Sequence, residues 1–149
     1  MHNMVDEEVK ALLNRLALRI VQEKHKEMKC CKSHVEIGYK IANRKELARI
    51  LEICRAVFIN FYSPICPHCE MFKHVFHSIA KKYHSKAAFV RINVFDVPES
   101  VREYSVLGVP TTIVIVNGSE YDRIVGYVPK NVFERIVSTT LDRIGCLDK

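Results

Sequence analysis

The sequence predicts an α/β fold, a mixed central sheet with helices on both faces. Three observations carry this. Short apolar, β-rich runs alternate with segments of helical spacing over most of the chain. The run Ala56 to Phe61 has the character of a strand covered on both faces. After Cys69 the pattern turns helical, with Phe72, Val75, Phe76, Ile79 and Tyr83 on one stripe. A Cys-Pro-His-Cys segment, residues 66 to 69, sits at that handover. Folds of this kind bind and react beyond the carboxyl ends of their strands.

The first predicted element is one long amphipathic helix over residues 4 to 29. Val5, Val9, Leu12, Leu13, Leu16, Ile20 and Val21 repeat at three and four. Asp6, Glu7 and Glu8 near its start and Lys24, Lys26 and Lys29 near its end suit the helix dipole. Such a helix runs to about 37 Å, longer than the face of a small domain. Its stripe is expected to pack partly on the chain's own domain and partly on a second copy. The connector Cys30-Cys31-Lys32-Ser33-His34 matches no strong zinc spacing, and its cysteines are expected as ordinary reduced thiols.

Val35 to Ile41 alternates and predicts a strand. Asn43 caps the next helix, with Glu46 at the reciprocal capping position. Leu47, Ile50, Leu51 and Ile53 form its apolar side, and Cys54 at its end reads as a small buried hydrophobe. The central strand and the Cys66 helix follow. The outer row Glu70, His74, His77, Lys81 and His84 is expected to be solvated. Ala88 to Val94 predicts a strand and Pro98 to Tyr104 a short helix. Val106 to Val116 predicts another strand, led in by Gly108 and Pro110. Asn117-Gly118 is a strong hairpin signal, with the return strand over Tyr121 to Gly126. Pro129 opens a last helix carrying Val132, Phe133, Ile136, Val137 and Leu141. Cys146 falls in the tail beyond it and is given no role.

The chemistry follows from the position of the C-x-x-C. With Cys66 as N-cap, Pro67 falls at the first helical position, where its missing N–H costs nothing. The helix then aims unpaired N–H groups and a partial positive charge at the Cys66 sulfur. A thiolate is favoured there, and the thiolate is the nucleophile. His68, when protonated, adds a nearby cation. Cys69 is one turn on, close enough to close a disulfide. Cys66 is thus the candidate nucleophile, Cys69 the resolving cysteine and His68 the tuner. A structural zinc half-site or two unrelated core cysteines also fit a lone C-x-x-C, and the strand-to-helix context weighs against them.

Composition narrows the rest. The 149 residues fit one domain with length to spare, and 48% hydrophobic residues suffice for a core without disulfide staples. The acidic N-terminus lacks the form of a signal peptide, and Arg15 and Arg19 interrupt the best apolar run. A cytoplasmic address without membrane association is therefore expected. Six cysteines there suggest redox or metal chemistry more than a framework. The net charge of +6 is spread along the chain, with one cluster at Lys24 to Lys32. No aromatic interleaving accompanies it, so no nucleic acid is expected as a partner.

Residues 35 to 149 resemble a thioredoxin. The likeness rests on the strand leading into Cys66-Pro67-His68-Cys69, on Val109-Pro110-Thr111, and on Asn117-Gly118 followed by Val125-Gly126. The 44 positions from Cys66 to Pro110 (110 − 66) also match that family. Residues 1 to 34 stay outside the resemblance, as an N-terminal helical extension. The resemblance implies a three-layer sandwich and a protein thiol–disulfide oxidoreductase. It implies that Pro110 is a cis-proline facing the active disulfide. Val109 and Ile65 would then help to seat an extended substrate. Disulfide- or dithiol-containing proteins are the implied substrates, a reductase or other donor of unknown type the implied partner. No cofactor and no resident metal is implied.

Departures from the family sharpen this. Pro-His between the cysteines, and Val before the cis-proline, resemble the thiol oxidase DsbA. Asn60 stands where thioredoxins usually keep a buried Asp, so a proton relay to Cys69 has to run through water or another group. Ile65 replaces the aromatic residue that normally precedes the first cysteine. Thioredoxin and DsbA lie about 150 mV apart, about 7 kcal/mol for two electrons. A potential less reducing than thioredoxin's is expected. The alternatives are a partner-binding module working through the N-terminal helix, and a metal or iron–sulfur carrier ligated by Cys66 and Cys69.

Overall fold

In the computed structural model, which describes residues 4–27 and 30–147, β-branched and aromatic residues build a five-stranded sheet. Strand β1 (Tyr39–Lys40) is short. Helix α2 (Arg44–Ile53) follows α1 (Met4–Glu27) and leads into β2 (Ala56–Tyr62), whose seven residues are all buried. Then come α3 (Pro67–Tyr83), β3 (Ala88–Asn93), α4 (Pro98–Glu103), β4 (Thr111–Val116), β5 (Ser119–Val125) and α5 (Lys130–Arg143). The strand order is β1-β3-β2-β4-β5. The pairs β1–β3 and β2–β3 are parallel, while β2–β4 and β4–β5 are antiparallel.

Side chains alternate across each strand, and this sorts the core into two layers. Val57, Ile59, Phe61, Val90, Ile92, Ile113 and Ile115 face the side covered by Leu47 and Ile50 of α2. Phe58, Phe89 and Val114 face the other side, against Phe72, Phe76 and Ile79 of α3 and Phe133, Val137 and Leu141 of α5. The Phe58 and Phe89 rings stack at 4.9 Å, and Phe72 meets Phe133 edge-on at 5.2 Å. Asn60, Tyr62 and Arg91 follow the same alternation and fall on the α3 side.

The Asn43 cap forms as expected: its side chain accepts from the Glu46 N–H at 2.9 Å, and Glu46 accepts from the Ala42 N–H. The strand expected over Val35 to Ile41 shrinks to two residues. Gly38 takes a φ of +70°, and the Tyr39 N–H turns back to the Glu36 carbonyl, so the preceding run is spent in a turn. The return strand begins at Ser119 rather than Tyr121. Asn117 and Gly118 both adopt positive φ, which closes a two-residue turn and lets Val116 pair with Ser119 at once.

Two larger expectations are corrected. Every described side chain of α1, residues 6–19, is exposed, Leu12 at 56% and Leu13 at 58%. The expected packing of this stripe on the chain's own domain is absent there, because α2, α3, α4 and α5 already cover the sheet. Residues 28 and 29 lie outside the described part.

The connector and tail cysteines are bonded rather than reduced: Cys30 to Cys146, and Cys31 to Cys54. Cys31 and Cys54 form an antiparallel bridge, flanked by hydrogen bonds from Lys32 N–H to Ile53 and from Arg55 N–H to Cys30. Neighbours on an extended segment point to opposite faces. Cys31 therefore enters the α2-side core, and Cys30 reaches Cys146 on the α5 side. The same geometry separates the four sulfurs into two pairs and removes the metal reading of this cluster. The chain does use disulfides as a framework, contrary to expectation.

Candidate active site

The site is built where β2 gives way to α3. Cys66 is the N-cap of α3, extended at φ −108° and ψ 110°, and Pro67 occupies the first turn. The Cys69 N–H donates to the Cys66 sulfur at 3.1 Å, so an unpaired helix N–H is spent on the sulfur as the spacing suggests. Cys66 and Cys69 are joined in a disulfide. Cys66 is half-buried, whereas Cys69 is 1% exposed. The sulfur open to another molecule is that of Cys66.

The loop before β4 faces this pair. The Val109–Pro110 peptide bond is cis, and the Val109 carbonyl oxygen lies 3.9 Å from the Cys66 sulfur. The loop is pinned from both ends: the Thr111 hydroxyl donates to the Gly108 carbonyl at 2.6 Å, and the Gly126 N–H donates to the Pro110 carbonyl at 2.8 Å. Cys66, Pro67, Cys69, Val109 and Pro110 thus converge. His68 and Ile65 flank Cys66 at the surface, Ile65 at 85% exposure.

On the cavity that Cys69 lines lies a group of which sequence reasoning singled out only Asn60. Asn60 is in register with Arg91 on β3 and with Thr112 on β4. Its amide donates to the Thr112 hydroxyl at 3.3 Å and accepts from the Arg91 Nε–H at 3.2 Å. The guanidinium lies over the Tyr62 ring, 3.7 Å from its centre. Arg91 is 6% exposed and makes no ion pair among the described residues. Burial pushes its pKa down, yet an arginine keeps its charge in a protein. The signal was present: Arg91 is the one charged residue in the apolar run Ala88 to Ile92.

His77 belongs to the same region and corrects the expected solvated row on α3. Its Nε2 is buried without a partner and sits against Gly38. Burial holds its pKa below the ordinary value, with Arg91 and Lys73 adding to the effect. His84, expected in the same row, is half-buried against His34, with ring centres 5.6 Å apart. Tyr62, His77 and Arg91, with Lys40 and Lys73, border a cavity of about 400 Å³ whose wall includes Cys69.

A family model described as Thioredoxin matches residues 39–139. The chain belongs to the thioredoxin family. It is 30% identical over 94 residues to a chloroplastic M-type thioredoxin of Brassica napus, a match covering 63% of this chain and 51% of that one. It is 28% identical over 97 residues to a thioredoxin of Chlorobaculum thiosulfatiphilum, covering 65% of this chain and 90% of that one. The chain spans about half the length of the chloroplastic relatives it matches. Among solved structures, a point mutant of a thioredoxin from Halobacterium salinarum superposes with a TM-score of 0.66 at 21% identity, over 72% of this chain and 93% of that one. The oxidised mitochondrial thioredoxin 3 of Saccharomyces cerevisiae gives 0.62 at 23% identity, over 68% and 94%. These likenesses establish the thioredoxin fold. Helix α1 and the Cys30-Cys31 pair lie outside the residues matched by the family model.

Proposed function

We propose that this chain is a protein thiol–disulfide oxidoreductase working through Cys66 and Cys69. The observation that carries this is the Cys69 N–H donated to the half-buried Cys66 sulfur at the start of α3. That geometry stabilises negative charge on the sulfur that a substrate can reach. In the reducing direction the Cys66 thiolate attacks one substrate sulfur, and the other leaves as a thiolate. The Cys69 thiolate then attacks the Cys66 sulfur, expels the substrate sulfur still bonded to it as a second thiolate, and closes the Cys66–Cys69 bond. Two electrons pass to the substrate, whose two thiolates take up the protons released by the pair. Oxidation runs the same steps backwards.

The test is reduction of a disulfide-bonded protein driven by dithiothreitol. Cys66→Ser should abolish turnover, and Cys69→Ser should accumulate mixed disulfides through Cys66. Full activity in Cys66→Ser overturns the proposal.

The finer reading is a pair less reducing than thioredoxin's. Its support is the Pro-His dipeptide and the buried Arg91 cation on the cavity that Cys69 also lines, both of which favour thiolate over disulfide. Equilibration with a glutathione series measures the potential. His68→Gly should lower it, and an unchanged value removes His68 as the tuner. Substrates are disulfide- or dithiol-bearing proteins, served by a reductase or another donor.

A second copy of the chain is proposed as the partner of α1. Leu12, Leu13, Leu16 and Leu18 are exposed on it, and its acidic start and basic end favour antiparallel pairing. Light scattering should give a dimer for the full chain and a monomer after deletion of residues 1 to 29. The two framework disulfides favour an oxidising compartment over the reducing cytoplasm expected from the sequence.

A further inference from the structure

We propose that the cavity behind Cys69 is a binding site for a small oxyanion. Its base is the Arg91 guanidinium, buried and, among the described residues, in contact with no carboxylate; Glu70 acts on it only across the cavity. Only the Nε–H is used, in the hydrogen bond to Asn60; the Nη groups make none among the described residues. A guanidinium presents its donors as a planar fork that matches carboxylate and phosphate oxygens. The Tyr62 ring covers one face of it and fixes its plane.

A second observation points to the same occupant. Tyr62 is 6% exposed, borders the cavity, and its hydroxyl is buried without a partner. Leaving such a donor unmatched costs free energy that an accepting oxygen would recover. His77 offers a further buried, unmatched ring nitrogen on the cavity wall. Lys40 and Lys73 stand at the rim with Glu70, so cations outnumber the single carboxylate. The chemistry is that of a site for a compact anion with two or more oxygens, supplied by inorganic phosphate or by a free carboxylate.

Occupancy has a consequence for the cysteines. An anion on Arg91 offsets the positive charge of the cavity that Cys69 lines and so disfavours the Cys69 thiolate. The Cys66–Cys69 equilibrium then moves toward the disulfide. This consequence rests on the proposed exchange activity; the binding itself does not.

The experiment is a titration of the oxidised full chain with inorganic phosphate, followed by NMR at constant ionic strength, with acetate in a parallel series. Saturable shifts at the Arg91 Nε–H and at the amides of Gly38, Lys40 and Cys69 are expected. Arg91→Gln should weaken binding tenfold or more, and Tyr62→Phe by roughly three- to tenfold. Lys73→Gln keeps the test alive if Arg91→Gln does not fold, and should weaken binding roughly twofold to fivefold. Saturation by acetate alone assigns a carboxylate, and saturation by phosphate alone assigns a phosphate. Shifts that do not saturate, or that persist unchanged in Tyr62→Phe and Lys73→Gln, overturn the site. Saturable binding that leaves the glutathione equilibrium of the pair unmoved overturns the coupling alone.

Discussion

Asn60 and Arg91 face one another across β2 and β3, and the Arg91 Nε–H donates to the Asn60 Oδ1 at 3.2 Å. The pair occupies the layer under α3, between the aromatic residues Phe58, Tyr62 and Phe89 of the same face. A hydrogen bond to a buried cation is worth more than a neutral one, and its loss leaves the charge uncompensated. Asn60→Leu should therefore cost about 3 kcal/mol in urea unfolding. The double variant Asn60→Leu with Arg91→Met should recover most of that, since an apolar pair needs no partner. A double variant no better than the single one would mean that Asn60 serves Thr112 more than Arg91.

The half-buried His77 makes stability depend on pH. Its folded pKa is held below the ordinary 6.5, chiefly by burial. Between those two values the unfolded chain binds more protons than the folded one, so stability rises with pH. The contribution is present above the unfolded value and is lost as pH falls through the folded one. Unfolding measured from about pH 7 to about pH 5 should show this slope, and His77→Gln should flatten it.

Gly38 and His77 should behave as one unit. A Cβ at Gly38 would strike the imidazole Nε2, and the residue's φ of +70° disfavours any side chain. Gly38→Ala should cost about 2 kcal/mol or more. In a His77→Ala background the clash is gone, and about 1 kcal/mol of that loss should return, leaving the backbone part. Equal losses in both backgrounds would assign the whole cost to φ.

The two framework disulfides should differ in weight. Cys31–Cys54 closes a separation of 23 residues and Cys30–Cys146 one of 116. Loop-closure entropy gives about 3 kcal/mol for the first and about 5 kcal/mol for the second. Thermal unfolding of the two paired Cys→Ala variants should follow that order, with the Cys66–Cys69 pair left intact in each.

The half of the molecule around Cys66 was legible because its signals are local. A C-x-x-C between a buried run and a helical stripe, an Asn-Gly turn, and a Val-Pro at fixed distance each constrain their own neighbourhood. What stayed hidden depends on contacts between distant segments. Cys30 and Cys146 meet only because an extended connector runs past the end of α2 and beside the end of α5. Arg91 gave a local sign, a charge inside an apolar strand, but its meaning needed Asn60 and Tyr62 from the neighbouring strand. His77 lies on the polar side of its own helix, and it is the distant turn at Gly38 that packs against its ring. The α1 stripe shows the reverse failure: its periodicity was correct, yet a periodic face does not say what it will meet.

The adjacent cysteines of the connector also bear on mechanics. Any load carried along the chain from α1 arrives first at Cys30 and Cys31, which are fastened covalently on opposite sides of the sheet. A tug on that handle is shared between the end of α2 and the chain's last turn before it can reach a strand. The Cys66 junction, at the opposite end of β2 from Cys54, is thereby insulated from tension. A hold on the helix therefore leaves the frame around the Cys66–Cys69 disulfide in place.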